Sequence, residues 1–306
     1  MVNWDRIYKE VATFTQNPAD LVKRKYFGEL YNYTKRETIL YATNWTQQKN
    51  IPPNLVNISE EDILAFMEAA SDLSGKNLDL IIHSPGGSIE PTEQIIKYLR
   101  NKFENIRVIV PFGAMSAATI LSCCADEIIM GKQSFLGPTD PQFILSVAGT
   151  LQSVPAQAIM DQFQQAKTEC AKDRSNFNVW LPILQQYGPA LLKQCEDSIE
   201  LSKSVVGEQL EKNMFKLEND PKSIAEKIAS KLSNHANFKT HGRHITREEA
   251  RSYGLKIKNL EDDKKLNDYV MSIFYAISIL FDTTQIVKVT QNQNSIGLFK
   301  STVSQK

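Results

Sequence analysis

No stretch of the sequence is apolar for long enough to cross a bilayer. The longest, residues 269–281, is interrupted by serines and falls well short of the roughly 20 residues a spanning helix needs. The opening residues carry early charges and no apolar signal core, so a cytoplasmic chain is expected, with membrane contact at most peripheral. Nor is there an excess of charge of either sign. Lys plus Arg and Asp plus Glu both number 35, which leaves no global field to favour nucleic acid or an anionic surface. The four cysteines, Cys123, Cys124, Cys170 and Cys195, have no CxxC spacing. Two of them are adjacent in an apolar run, so they read as reduced core thiols. No His/Cys cluster has metal-ligand spacing, and no metal is implied. Neither glycine-rich turn matches GxGxxG or GxxxxGK(S/T), so no nucleotide or other cofactor is expected.

What is present is globular: 306 residues, 42% hydrophobic and 23% charged, enough for one large or two modest domains. Residues 37–43 cluster β-branched and aromatic side chains and read as a strand. Residues 57–71 place Ser59 ahead of three acids and an apolar stripe, the pattern of a capped helix. From residue 77 to about 143 a short apolar strand (78–83), a turn, a helix (90–102), a second strand (106–111) and a second turn follow one another. Residues 125–131 then add a further strand. That alternation predicts βαβ units and an α/β layered core with both sheet faces covered. Helices are expected at 154–174, 184–217 and 221–232. Thr246 opens a capping box closed by Gly254. The last residues, 283–306, are rich in Gln, Asn, Ser, Thr and Lys and read as a mobile tail.

The chemistry gathers at the two turns, because sites in parallel sheets lie beyond the carboxyl ends of the strands. Ser84-Pro85-Gly86-Gly87-Ser88 is the first and Gly113-Ala114-Met115-Ser116-Ala117-Ala118 the second. Paired glycines expose backbone N–H groups, and small neighbours let a carbonyl approach a serine hydroxyl. Acyl transfer needs that combination of oxyanion donors beside a nucleophile. Each motif alone is ordinary turn chemistry; the order strand, glycine turn, helix, strand, serine turn is far more specific.

The turn at Leu80-Ile81-Ile82-His83-Ser84-Pro85-Gly86-Gly87-Ser88 resembles that of the Clp protease proteolytic subunit and of signal peptide peptidase A. Ala114 to Ala118, Ala125-Asp126-Glu127-Ile128 and Gly137-Pro138-Thr139-Asp140-Pro141-Gln142 are closer to the serine dehydrogenase proteinase family. The likeness continues through residues 240–246 to Glu249-Ala250 and Gly254-Leu255. It implies a Clp/crotonase-like fold built from repeated ββα and βαβ units. Ser116 corresponds to the nucleophile, and the amides of Gly87 and Ala117, with Gly86 beside them, to the oxyanion hole. It further implies a peptide or protein substrate and a homo-oligomer, whether trimer, hexamer or ring. The expected division is an N-terminal elaboration (1–56), the peptidase domain (57–260), a C-terminal helix (261–282) that is either an oligomer contact or an ordinary core helix, and the tail.

The base departs from the better-known relatives. The Clp histidine position falls near Asp140, whereas His241 stands where the Clp acid would be. An exchanged triad follows, with His241 as base and Asp140 orienting it, since geometry and not chain order defines a triad. Lys167 is the rival base, as in signal peptide peptidase A, although its neighbours Asp161, Glu169 and Lys172 suit a solvated surface. His83, His235 and His244 read as structural. The competing functions are a non-catalytic assembly protein that keeps the fold and a crotonase-type enzyme acting on acyl thioesters.

Overall fold

The computed structural model describes residues 2–47, 51–147 and 149–302. Two helices, α1 (Trp4–Val11) and α2 (Pro18–Thr34), precede strand β1 (Glu37–Thr43). Then come α3 (Glu60–Ala70), β2 (Asn77–His83), α4 (Ile89–Lys102), β3 (Asn105–Val110), α5 (Ala117–Cys123) and β4 (Glu127–Met130). A hairpin of β5 (Gln142–Val147) and β6 (Thr150–Pro155) leads into α6 (Ala156–Lys172), α7 (Leu191–Gln209) and α8 (Pro221–Ser233). The chain closes with α9 (Arg247–Tyr253), β7 (Ile257–Asn259), α10 (Lys264–Thr283), β8 (Ile286–Asn292) and β9 (Gly297–Ser301).

Seven strands form the main sheet in the order β7-β4-β3-β2-β1-β8-β9. The first five are parallel to their neighbours, and β8 and β9 join antiparallel. Strand residues point alternately to the two faces, and both faces are buried. Leu78, Leu80, Ile82, Val108 and Val110 pack into a cluster that also holds side chains of α3, α4, α5 and α8. On the other face Leu40, Ile81, Ile109 and Ile129 stand in one cross-strand row beneath α1, α2 and α10. Each such fully buried side chain contributes about 1.5–3 kcal/mol, so the row fixes strand register: a slip of one residue would turn all four into the opposite layer.

The α/β layered core is as expected from the strand and helix alternation, and α3 begins at the expected cap, with Ser59 and Asp62 forming the capping box. Two expectations are corrected. Residues 286–301, read as part of a mobile tail, are two strands of the main sheet. Two of the buried polar side chains of β8 have distant partners: Asn292 Nδ2 donates to the Ala69 carbonyl at 2.8 Å and Lys288 Nζ to Asp62 at 2.7 Å. The apolar stripe at 270–281, expected to be either an oligomer contact or a core helix, packs in the core: Val270, Ile273, Ile277 and Leu280 of α10 are buried with Val22, Phe27 and Leu30 of α2. The single helix expected over 184–217 is broken. A helix at Phe177–Leu184 ends before Gly188-Pro189, Ala190 takes a left-handed turn (φ 64°), and α7 then continues into a π-helical stretch, Leu210–Met214.

Candidate active site

Hydrogen bonds between the two turns set their relative position. The Ser84 amide donates to the Gly113 carbonyl at 3.0 Å, and the Met115 amide donates back to Ser84 at 3.0 Å. The Pro85-Gly86-Gly87 turn therefore lies directly against the serine turn. A Cβ on Gly86 would sit 2.5 Å from the Met115 carbonyl oxygen and 2.8 Å from Ser116 Cβ, and one on Gly87 would sit 2.3 Å from the backbone N and O of Ile58. Both glycines have positive φ, 97° and 155°, so close approach and backbone conformation both require them.

Ser116 takes φ 51°, ψ −120° at the entry to α5. A non-glycine residue in such a conformation costs about 1–3 kcal/mol and persists only when the surroundings impose it. Here the surroundings are the Gly86 turn on one side and, on the other, Thr119, whose hydroxyl donates to the Ala114 carbonyl at 2.8 Å and accepts from the Gly137 amide at 3.0 Å. The strained turn leaves Ser116 half-buried while Ala117 and Ala118 are packed in the core.

Two amides beside the serine have no protein acceptor among the described residues, those of Gly87 and Ala117. Gly86 is different: its N–H donates to Ser84 Oγ at 3.1 Å. Of the three amides named from the sequence, it is the one already engaged within the turn.

Asp140 lies on a loop held from several sides. The Thr139 amide donates to the Leu232 carbonyl at 2.9 Å, Ser202 Oγ donates to the Thr139 carbonyl at 2.6 Å, and the Ala156 amide donates to the Pro141 carbonyl at 2.9 Å. Its carboxylate is 1% exposed and accepts from three side chains. His241 Nδ1 donates to Oδ1 at 2.7 Å; His235 Nδ1 and Gln142 Nε2 donate to Oδ2 at 2.9 Å and 3.0 Å. A buried carboxylate satisfied in this way is a fixed acceptor. Because it can only accept, it places a proton on His241 Nδ1, so that in the neutral ring the lone pair is on Nε2. Ser116, Gly87, Asp140 and His241 all line one cleft of about 530 Å³, together with Asn57, Pro85 and Gln142. No hydrogen bond joins Ser116 to His241; contacts of this kind commonly tighten only around substrate.

The other residues singled out from the sequence lie elsewhere. Lys167 is exposed on α6 and does not line the cleft, as its charged neighbours favour. His244 is exposed and stacks on Phe135, ring centroids 3.6 Å apart. His235, read as structural, is the partner that sequence reasoning missed. It opens a short helix, His235–Phe238, six positions before His241, and only the fold brings both rings to one carboxylate.

His83 is 3% exposed, among the rings of Trp45, Phe112 and Phe274. Burial pushes its imidazole from 6.5 down to about 3. Below pH 6.5 the unfolded chain therefore takes up a proton that the folded chain refuses until about pH 3. Stability from this group is complete above pH 6.5 and is lost as pH falls, by up to about 1.4 kcal/mol per pH unit. Urea midpoints measured from pH 7 to pH 4 are expected to drop less steeply in His83→Gln than in the unsubstituted protein.

A family model described as ClpP-like SDH-type serine proteinase matches residues 54–275. Two uncharacterized proteins of Methanocaldococcus jannaschii are similar in sequence. One is 32% identical over 200 residues, covering 65% of this chain and 58% of that protein. The other is 33% identical over 159 residues, covering 52% and 48%. The chain thus spans about half the length of these curated relatives. Among solved structures, a serine-to-alanine variant of the 1510-N membrane-bound stomatin-specific protease aligns at TM-score 0.40 and 16% identity, over 69% of this chain and 78% of that one. A lysine-to-alanine variant of the same protease, in complex with a substrate peptide, aligns at 0.38 and 17%, over 68% and 71%. Among the described residues, no helix is long and apolar enough to cross a membrane, and no group of His, Cys, Asp and Glu could hold a metal ion.

Proposed function

We propose that this chain, which belongs to the ClpP-like SDH-type serine proteinase family, hydrolyses peptide bonds through an acyl-enzyme on Ser116. The observation that carries the reading is the shared cleft: a serine on a strained turn, two unspent amides, and a histidine whose tautomer a buried carboxylate fixes. Ser116 Oγ attacks the scissile carbonyl carbon as His241 Nε2 accepts its proton, and the carbonyl oxygen becomes an anion accepting from the Gly87 and Ala117 amides. Collapse breaks the C–N bond, with His241 returning the proton to the leaving amine. Water, deprotonated by the same nitrogen, then attacks the acyl carbon and releases Ser116.

The exchanged order, acid before histidine in the chain, is compatible with this chemistry because the roles depend on contacts alone. The substrate class is a peptide or an unfolded protein segment. The cleft is open along the exposed β5–β6 hairpin, whose Gln142, Phe143, Ile144 and Ser153 form one wall, room for an extended backbone. Family resemblance further supports a homo-oligomer, which native mass spectrometry would reveal.

A fluorophosphonate probe tests the reading. Labelling of the folded protein is expected, with complete loss in Ser116→Ala. Folded protein that takes up no probe would favour the non-catalytic assembly reading, and turnover of an acyl thioester that survives Ser116→Ala would favour the crotonase-type one.

A further inference from the structure

Beneath the glycine turn lies a buried ion pair that the proposed chemistry does not use. Lys288, on β8, is 4% exposed and lies beyond residues 54–275 matched by the family model. Its ammonium donates to Asp62 Oδ2 at 2.7 Å and to the Asn57 carbonyl at 2.8 Å. Asp62, 1% exposed, accepts from the Ser59 amide at 2.8 Å in the capping box of α3. Capping boxes do this work on helix surfaces with no lysine, so capping alone does not account for a desolvated ammonium here.

What the lysine adds is a clamp on residues 57–59 from both sides. Ile58, in the middle, forms a parallel bridge with Gly87: its amide donates to the Gly86 carbonyl at 2.7 Å, and its carbonyl accepts from the Ser88 amide at 3.1 Å. Those two bonds hold the peptides on either side of Gly87, whose Cα hydrogens leave no room for a side chain against Ile58. Asn57 and Gly87 both line the cleft. A shift of the 57–59 segment would therefore be passed directly to the Gly87 N–H.

We propose that Lys288 is a positioning residue for the Gly87 amide, acting through Asn57 and Ile58, so that the C-terminal strand β8 registers one half of the oxyanion hole. This rests on the reading of Gly87 as an oxyanion donor. It assigns a catalytic consequence to a segment whose composition suggested a tail, and it explains why a lysine is buried where a methionine would pack at lower electrostatic cost.

The test uses the full chain, Lys288→Met, and the double variant Asp62→Asn/Lys288→Met, which removes the charge left unpaired by the single change. Hydrogen exchange followed by mass spectrometry is read on peptides covering residues 84–90 and on the core strand 78–82, alongside the rate of fluorophosphonate labelling at Ser116. Exchange over 84–90 is expected to rise by about 10-fold or more while 78–82 keeps its protection, with labelling slowed about 10- to 100-fold. A purely structural lysine would raise exchange in both regions together or in neither, and either pattern in the double variant overturns the proposal, as does labelling at the unsubstituted rate. Absence of Ser116 labelling in the unsubstituted protein would instead count against the nucleophile reading, while the exchange measurement still decides the role of the lysine.

Discussion

Asp140→Asn is expected to lower turnover of a peptide substrate by about 10²–10⁴-fold, as much as His241→Ala. The buried carboxylate now accepts the His241 Nδ1 proton at 2.7 Å. An amide in its place can donate to Nδ1 instead, which moves the imidazole proton to Nε2, the nitrogen that has to accept from Ser116. The geometry survives and the base does not. Because the two residues act as one unit, the double variant is expected to be no slower than either single one. His235→Gln is the control: it retains a donor toward Oδ2 and leaves the His241 bond in place, so most of the activity remains. Initial rates with a fluorogenic peptide, compared across the four variants, check the whole pattern. Equal effects of His235→Gln and His241→Ala would mean that the carboxylate serves the wrong ring in this description.

Gly87→Ala is expected to cost both activity and stability. At φ 155° a side chain is strained, and its Cβ would meet the backbone of Ile58 at 2.3 Å, atoms that cannot rotate away. The turn must shift, and the amide shifts with it. Loss of one well-aimed oxyanion donor lowers kcat by about 10²–10³-fold, and the strained backbone adds roughly 1–3 kcal/mol of destabilisation. The two effects separate experimentally, since kcat is measured on the fraction that remains folded and the urea midpoint reports the stability. A variant that lost stability but kept kcat would show that this amide is not aimed at the reacting oxygen.

The strand-turn-helix alternation between residues 77 and 131 was legible because apolar runs, helical periodicity and glycine turns there all signal the same elements. The two turns could be singled out as chemistry-bearing for the same reason. Legibility fails where polar residues are buried with partners distant in sequence. Lys288, Asn292 and Gln293 look like tail composition, yet they bond Asp62, Asp72 and Glu37, more than 200 residues earlier. The long helix expected over 184–217 overrode a Gly188-Pro189 signal that the chain obeys. The β5–β6 hairpin was missed because its alternating pattern is short and two of its apolar residues, Ile144 and Leu151, are exposed. Gly86 and Gly87 are indistinguishable as letters; only the hydrogen bond from Gly86 to Ser84 Oγ tells their amides apart. His235 has no sequence signal that distinguishes it from any loop histidine.

The most direct test is a crystal structure of the protein inactivated by a fluorophosphonate. The expected adduct is bonded to Ser116 Oγ, with its phosphonyl oxygen about 2.7–3.1 Å from the amides of both Gly87 and Ala117 and His241 Nε2 within hydrogen-bonding reach of the serine oxygen. An adduct whose oxygen faces solvent, or a Ser116 that stays unmodified while another residue carries the probe, would contradict the assignment of this cleft as a peptidase site.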